Sequence, residues 1–206
     1  MCVRFSVCFL LAGLYLSSSA PTPEDCDPLL TPLPLDDRTK LLGRWNFMAG
    51  VTDHELFASV LRKIESYRLT ITASPSESNT LLMSTDSMVN DRCISSEANL
   101  TIVGNVIEAD HDNSSHTFRV LPSCDDCLVF SINTTFPKDI QVNTLYLFAR
   151  SEVVEDPELK AFQQDSELKT FQQQAECLNI SVPMTFRYDP KKGPSFTLCF
   201  ICFFSL

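Results

Sequence analysis

Between residues 43 and 150 the apolar positions recur with a period of two. Tyr67, Leu69 and Ile71 alternate with Arg68, Thr70 and Thr72, the pattern of a strand with one face buried. Segments of this kind fall at 43–52, 66–73, 80–89, 94–103, 106–109, 116–121, 128–133 and 144–150. Turn chemistry separates them, as in Ser74-Pro75-Ser76-Glu77-Ser78-Asn79. One interruption, Asp53–Lys63, carries Leu56, Phe57, Val60 and Leu61 at helical spacing. Eight short strands without long helices between them predict an all-β chain, either a sandwich or an eight-stranded up-and-down antiparallel β-barrel. The barrel removes the exposed sheet edges, and at eight strands its interior holds one small ligand.

The pattern changes after residue 150. Asp156 is a good N-cap and Pro157 suits the first helical position, so one C-terminal helix is expected over about 157–177, packed outside the barrel (43–151). It contains a tandem repeat, Glu158–Gln164 and Glu167–Gln173. Nine residues at 100° each place the two copies on opposite sides of an unbroken helix. Leu168, Phe171, Ala175 and Leu178 form the continuous apolar face, so the first copy is expected to bend away or to restart at Asp165-Ser166. Met184–Tyr188 offers a short ninth strand. Residues 21–40 are rich in proline and read as an extended arm, with Cys26 available to tie it down. The domain proper is 41–192, followed by an atypical apolar tail at 193–206 that is too short to span a bilayer.

Residues 1–20 read as a secretory signal peptide: Arg4, an apolar run from Phe5 to Leu16, then Ser17-Ser18-Ser19-Ala20. Pro21 disfavours cleavage after Ala20 and leaves Ser18, Ser19 or a retained anchor open. Nine cysteines, two of them in that leader, leave an odd set for an oxidising compartment. Cys124 and Cys127 lack a second pair and a following helix, so they read as a local bridge rather than a metal or redox motif. Asn99, Asn113, Asn133 and Asn179 each open an N-x-S/T sequon. A secreted, extracellular glycoprotein follows. The net charge of −10 argues against nucleic acid as partner. No G-x-S-x-G, H-E-x-x-H or phosphate-binding glycine loop is present, so neither catalysis nor a cofactor or metal is expected. His111 and His116 lie near Asp110 and Asp112 in what reads as a solvated turn.

Gly43-Arg44-Trp45 opening the first strand, eight strands, one helix and Arg150 closing the eighth strand resemble the lipocalin superfamily. Within it the chain looks most like the orosomucoid group and the fish saxitoxin- and tetrodotoxin-binding proteins, with apolipoprotein M more distant. Asp91-Arg92-Cys93-Ile94, Glu176-Cys177-Leu178 and Tyr188–Lys192 carry that likeness, over about residues 38–192. The resemblance implies a barrel floor of Gly43, Trp45 and Arg150, with the guanidinium stacked on the indole. It implies a Cys26–Cys177 bridge, and a second from Cys93 to a cysteine near the C-terminus. Here the apolar tail replaces the expected ending, so Cys199 or Cys202 would serve.

Taking Trp45 as inward, alternation and resemblance together give a cavity wall of Phe47, Ala49, Tyr67, Leu69, Ile71, Leu100, Ile102, Phe118, Val129, Tyr146 and Phe148. An apolar, aromatic cup of this kind suits a small lipophilic or amphipathic ligand. A cationic amphiphile or guanidinium toxin is one narrower option. A lysosphingolipid carried by a monomer on lipoprotein particles is another. The reading from a different class is an immunomodulatory glycoprotein whose loops and glycans act without a dedicated ligand.

Overall fold

A computed structural model describes residues 21–111, 113–150, 157–180 and 184–188, excepting the side chains of 157–164. The expected signal peptide, the tail, Cys199 and Cys202 lie outside the described residues. Eight antiparallel strands follow one another around a closed barrel: β1 (Gly43–Thr52), β2 (Ile64–Ala73), β3 (Thr80–Val89), β4 (Arg92–Val103), β5 (Val106–His111), β6 (Ser114–Leu121), β7 (Cys127–Phe136) and β8 (Ile140–Arg150). Each pairs with its sequence neighbour, and β1 pairs with both β2 and β8 to complete the ring. A short β9 (Phe186–Arg187) lies outside the ring on β1, opposite Ala49 and Gly50.

The turns follow from their residues. Asn90 and Asp91 join β3 to β4 with φ of 50° and 59°, a left-handed pair that Asn and Asp tolerate. Lys138 and Asp139 do the same between β7 and β8. Those two strands run on to Phe136 and back from Ile140, beyond the expected 133 and 144, because the polar Asn133–Thr135 and Gln141–Asn143 stretches still pair in register.

Two stretches differ from expectation. Residues 23–30 are not extended but form α1 (Pro23–Leu30). Pro23 occupies the first turn, and the Asp25 carboxylate accepts from both the backbone N–H (3.1 Å) and hydroxyl (2.7 Å) of Thr22. Those local bonds outweigh the proline content. The second helix, α2 (Glu55–Leu61), fills the β1–β2 loop as expected. The third, α3 (Pro157–Cys177), runs through both repeat copies without restarting at Asp165-Ser166. Good helix formers (Glu, Leu, Lys, Ala, Gln) run through both copies, so the backbone helix continues across the repeat boundary.

Residues 168–180 cover one outer face of the barrel. Phe171, Ala175 and Ile180 pack on Ala49, Val51, Leu121, Val129, Leu145 and Leu147. Gln174, fully buried, donates through Nε2 to the carbonyls of Leu29 (3.1 Å) and Pro122 (2.8 Å), locking α3 to α1 and to the β6–β7 loop. Cys26 and Cys177 are bridged, with Cα atoms 5.5 Å apart, so the middle of α1 is fastened to the end of α3. Cys124–Cys127 forms a local bridge beside α3. Cys93 is also disulfide-bonded, and the choice between Cys199 and Cys202 falls outside the described residues.

One end of the barrel is shut. Trp45 is buried, its Nε1 donates to the Leu41 carbonyl (2.9 Å), and the Arg150 guanidinium lies 4.2 Å from the indole centroid. Arg150 also donates to the Lys40 carbonyl. Gly43, at φ +115°, lets this happen: a Cβ there would stand 2.6 Å from an Arg150 guanidinium nitrogen. Leu35 and Leu41 complete the floor from the N-terminal segment. Trp45→Ala should destabilise the fold by about 3–5 kcal/mol, the usual cost of truncating a buried aromatic. Urea denaturation measures it, and a loss below about 1 kcal/mol would mean Trp45 does not hold the floor.

Candidate functional site

The space above the floor is lined by alternate residues of all eight strands. Register assigns them, because residues paired across strands share a face. From Trp45 opposite Arg150 and Phe47 opposite Phe148, the inward set continues to Leu128, Phe130 and Ile132 on β7 and to Val120, Phe118 and His116 on β6. On the other side it passes through Leu69 and Tyr67 to Thr85, Met83 and Leu81 on β3, then to Ser96, Ala98 and Leu100 on β4. Ile102 and Ile107 close the circuit.

Nine of the eleven expected wall residues (Phe47, Tyr67, Leu69, Ile71, Leu100, Ile102, Phe118, Tyr146 and Phe148) belong to this interior cluster. Ala49 and Val129 do not; both point outward and pack under α3. For Ala49 the reason is a β-bulge: the pairing of β1 with β8 shifts between Phe47 and Ala49, so the inward parity passes to Gly50. For Val129 it is the run Leu128-Val129-Phe130, buried on both faces because a helix covers the outside. Alternation cannot choose a parity in such a run. Leu128, Phe130 and Ile132 were therefore missed; pairing with Phe148 and Tyr146 identifies them.

Gly50 is inward and small for a reason. A Cβ there would meet the Phe47 ring at 2.5 Å and the Tyr146 ring at 3.2 Å. Phe47 is the hub of an aromatic cluster at mid-height. Its ring stacks on Phe186 at 4.5 Å and meets Tyr146 (5.0 Å), Phe148 (5.3 Å) and Tyr67 (5.5 Å). Phe186 enters where β1 has parted from β2, so β9 fills a seam in the wall, and a cleft of about 160 Å³ lies there among Leu61, Arg62, Ile64, Glu65 and Arg187.

Below this cluster the interior is packed; above it, the interior opens. Along β4 the inward residues go from Leu100, 1% exposed, through half-buried Ala98 to exposed Ser96 and Ile94, the last 52% exposed. Tyr67, Met83, Phe118, His116 and Tyr146 are half-buried at the same level. The result is a cup with an apolar base, an aromatic waist and a polar upper tier.

That tier is built from paired hydroxyls. Thr85 and Ser96 share a hydrogen bond of 2.8 Å, and Thr144 donates to Thr52 (3.3 Å), which donates to the Asn143 carbonyl (3.1 Å). His116 is not in a solvated turn: it lies on β6 facing inward, two residues before Phe118, a parity that could have revealed it. Ser114 gives its proton to the His111 carbonyl and so accepts from His116 Nε2 (2.9 Å), which leaves Nδ1 to accept from Thr134 (2.9 Å). Burial, then the neighbouring His111, lowers the His116 pKa, with Asp110 opposing. Burial pushes the Tyr67 hydroxyl up to about 12, offset in part by the Thr85 hydroxyl, and pushes Tyr146 up as well, with Tyr67 contributing. Both phenols stay protonated donors.

Cys124, Cys127 and Glu167 place ligand atoms within 4.8 Å of one another, but the two sulfurs are joined, which leaves one carboxylate and no chelate. Among the described residues no other group of three or more His, Cys, Asp or Glu gathers around a metal-sized space. No helix among them is long and apolar enough to cross a membrane.

No family model and no curated protein matches the sequence. Solved structures match the fold. A dog lipocalin allergen superposes with a TM-score of 0.52 at 15% identity, covering 69% of this chain and 88% of that one. The siderocalin Ex-FABP gives 0.47 at 16% (63% and 86%), and a bovine odorant-binding protein 0.44 at 15% (63% and 87%). At these identities the likeness is one of architecture, and the dog allergen identifies that architecture as the lipocalin fold.

Two predictions come from the cup. Gly50→Ala should destabilise by about 1–3 kcal/mol, since the methyl group must displace Phe47 or Tyr146; a variant as stable as the parent in urea would show the waist to be loose. For His116 the folded pKa lies below the unfolded value of 6.5, so the unfolded chain binds more protons as the pH falls. Its stabilising contribution is present above that value and lost below it. His116→Gln should flatten the fall in Tm between about pH 7 and pH 5, and an unchanged slope would locate the titration elsewhere. Asp25 and Asp37, lowered by hydrogen bonds from Thr22 and Thr39, titrate below 3.8 and leave this window clear.

Proposed function

We propose that this chain is a secreted, N-glycosylated member of the lipocalin superfamily that binds and carries a small hydrophobic or amphipathic ligand in the upper half of its barrel. The observation that carries the reading is the gradient inside the barrel. A floor sealed by Trp45 and Arg150 and an aromatic waist at Phe47 lead to a tier of half-buried Tyr67, Tyr146 and His116 among buried threonines. A ligand entering there buries apolar surface against Phe118, Met83 and the Tyr67 and Tyr146 rings, while its polar end meets hydroxyls.

Export is supported by the disulfides Cys26–Cys177 and Cys124–Cys127, which persist in an oxidising compartment. The sequons support glycosylation unequally. Asn99, Asn113 and Asn179 are exposed. Asn133 lies on β7 with its amide donating to Asn143 (2.9 Å), and Asn143 in turn bonds Asp53 (2.7 Å). The guanidinium-toxin and cationic options within the orosomucoid-like resemblance draw support from the acidic surface alone, because no described inward position is Asp or Glu.

Expression in a eukaryotic cell followed by native mass spectrometry after deglycosylation tests the carrier reading. A co-purifying small molecule is the expected result. An apo mass that persists after challenge with neutral, cationic and anionic amphiphiles would favour the glycoprotein without a dedicated ligand. Glycopeptide mapping of the same sample should show high occupancy at Asn99, Asn113 and Asn179 and the lowest at Asn133; full occupancy at Asn133 would mean that its bond to Asn143 does not form early.

A further inference from the structure

We infer that Cys124, Cys127 and Glu167 form a site for one Zn2+ ion that reduction unmasks: opening the Cys124–Cys127 bridge sets two thiolates beside a carboxylate already in place. Three observations carry this, and none depends on what the barrel holds. The two sulfurs and a Glu167 carboxylate oxygen lie within 4.8 Å of one another. A tetrahedral ion with bonds of about 2.0–2.3 Å keeps its ligand atoms about 3.3–3.8 Å apart. Small side-chain rotations therefore close the site once the bridge is cut. Next, Glu167 is half-buried on α3, yet among the described residues it has no hydrogen-bond or ion-pair partner. A carboxylate withdrawn from water without a donor is costly, and a cation satisfies it.

The third observation is that the turn does not depend on its bridge. The Cys127 N–H donates to the Cys124 carbonyl (2.9 Å), and the Arg150 N–H to the Asp126 carbonyl (2.9 Å). The Ser123 hydroxyl donates to the Cys127 carbonyl (3.3 Å), and Cys127 is in register with Ala149 of β8. The bridge spans a sequence separation of 3, against 151 for Cys26–Cys177, so it constrains the unfolded chain far less. Cutting it leaves a preformed dithiol.

Both cysteines are half-buried rather than enclosed, and Asp125 and Asp126 between them are exposed, so an external thiol can reach a sulfur. The reductant is an external dithiol. One of its thiolates attacks a cysteine sulfur and breaks the bridge, forming a mixed disulfide. Its second thiol then releases the protein, leaving two cysteine thiols and the reagent as a cyclic disulfide. Two electrons and two protons have passed to the protein. Zn2+ next displaces both thiol protons, forming two zinc–sulfur bonds and one zinc–oxygen bond to Glu167, with water as fourth ligand. Two thiolates in the donor set select Zn2+ over Ca2+ and Mg2+, which take oxygen ligands. In the oxidising surroundings of the export reading the pair stays bridged, so metal uptake is confined to places where a dithiol is supplied. The disulfide ties the β6–β7 turn only to itself. The ion would tie that turn to α3.

The test treats the folded, untagged, secreted protein with limiting dithiothreitol, desalts it under argon and titrates it with Zn2+, with Ca2+ as the comparison. Alkylation and peptide mapping should find Cys124 and Cys127 open while Cys26–Cys177 stays closed. The reduced protein should take up one Zn2+ per chain and the oxidised protein none. Co2+ in its place should give thiolate-to-metal charge-transfer absorption and the visible bands of a tetrahedral ion. Glu167→Gln should weaken Zn2+ binding at least about tenfold without changing the circular dichroism, since losing even a group that only supports a ligand has that effect. Cys124→Ser combined with Cys127→Ser should stay folded and bind no Zn2+. A bridge that resists the dithiol in the folded protein, or a reduced protein that takes up no Zn2+, overturns the site. Binding that Glu167→Gln leaves unchanged overturns the three-donor arrangement. Unfolding of the double serine variant overturns the premise that the turn stands without its bridge.

Discussion

A sheet closed on itself has to be joined somewhere, and here the joint is β1. Over Gly43–Asn46 it pairs with β2, over Trp45–Thr52 with β8, and at Ala49–Gly50 it lends its free edge to β9. One strand can serve three partners only by bending, and the bulge between Phe47 and Ala49 supplies the bend. The consequences reach both faces. Inside, the parity change brings Gly50 under the Phe47 ring, which lets the aromatic hub sit across the lumen at mid-height. Outside, it turns Ala49 and Val51 toward α3, so the helix has an apolar strip to rest on. Floor, waist and outer layer are thus fixed by the same local irregularity.

The division of labour between the two faces explains how an open cup remains stable. A barrel that leaves its upper interior partly unfilled forgoes the burial that a packed core would give there. The outer layer offsets this: Phe171 and Ala175 on α3, with Ile180 just after it, bury apolar surface against β1, β7 and β8, each large side chain worth roughly 1.5–3 kcal/mol. The Cys26–Cys177 bridge closes a loop of 151 residues and Gln174 adds two buried hydrogen bonds, so α1, α3 and the barrel are held as a unit without any contact inside the cup. The tier at the mouth can therefore carry hydroxyls and a histidine, which stabilise less than leucines would but are compatible with water at the open end.

What the sequence revealed, and what it hid, divides along the same lines. Strands with one wet face announced themselves: β2, with Tyr67, Leu69 and Ile71 inward, and β3, whose bounds matched at 80–89. The floor was legible only through the lipocalin resemblance, which assigned Gly43, Trp45 and Arg150 to it; no periodicity marks them out. Parity failed where burial on both faces erases alternation, at Leu128-Val129-Phe130, and where a bulge resets the count, at Ala49. Residues 23–30 were misread because proline was weighed as a helix breaker, although Pro23 sits where a helix has no N–H bond to lose. Tyr146 and Tyr67 were named as wall, but their meeting with Phe47 in one aromatic cluster is a property of the assembled barrel, which no local pattern encodes.

His116 connects these points. Its neutrality depends on burial, and its tautomer on a chain running from the His111 carbonyl through Ser114 to Nε2 and from Thr134 to Nδ1. Protonation would place a donor where Thr134 now donates, forcing that hydroxyl to reverse, and would put a positive charge beside Phe118 and Thr134. Acidification therefore weakens the β6–β7 side of the tier, where His116 and Thr134 face each other. The packing of this tier is thus linked to pH through one half-buried imidazole, because the proton that breaks its hydrogen-bond chain is the same proton that lowers stability.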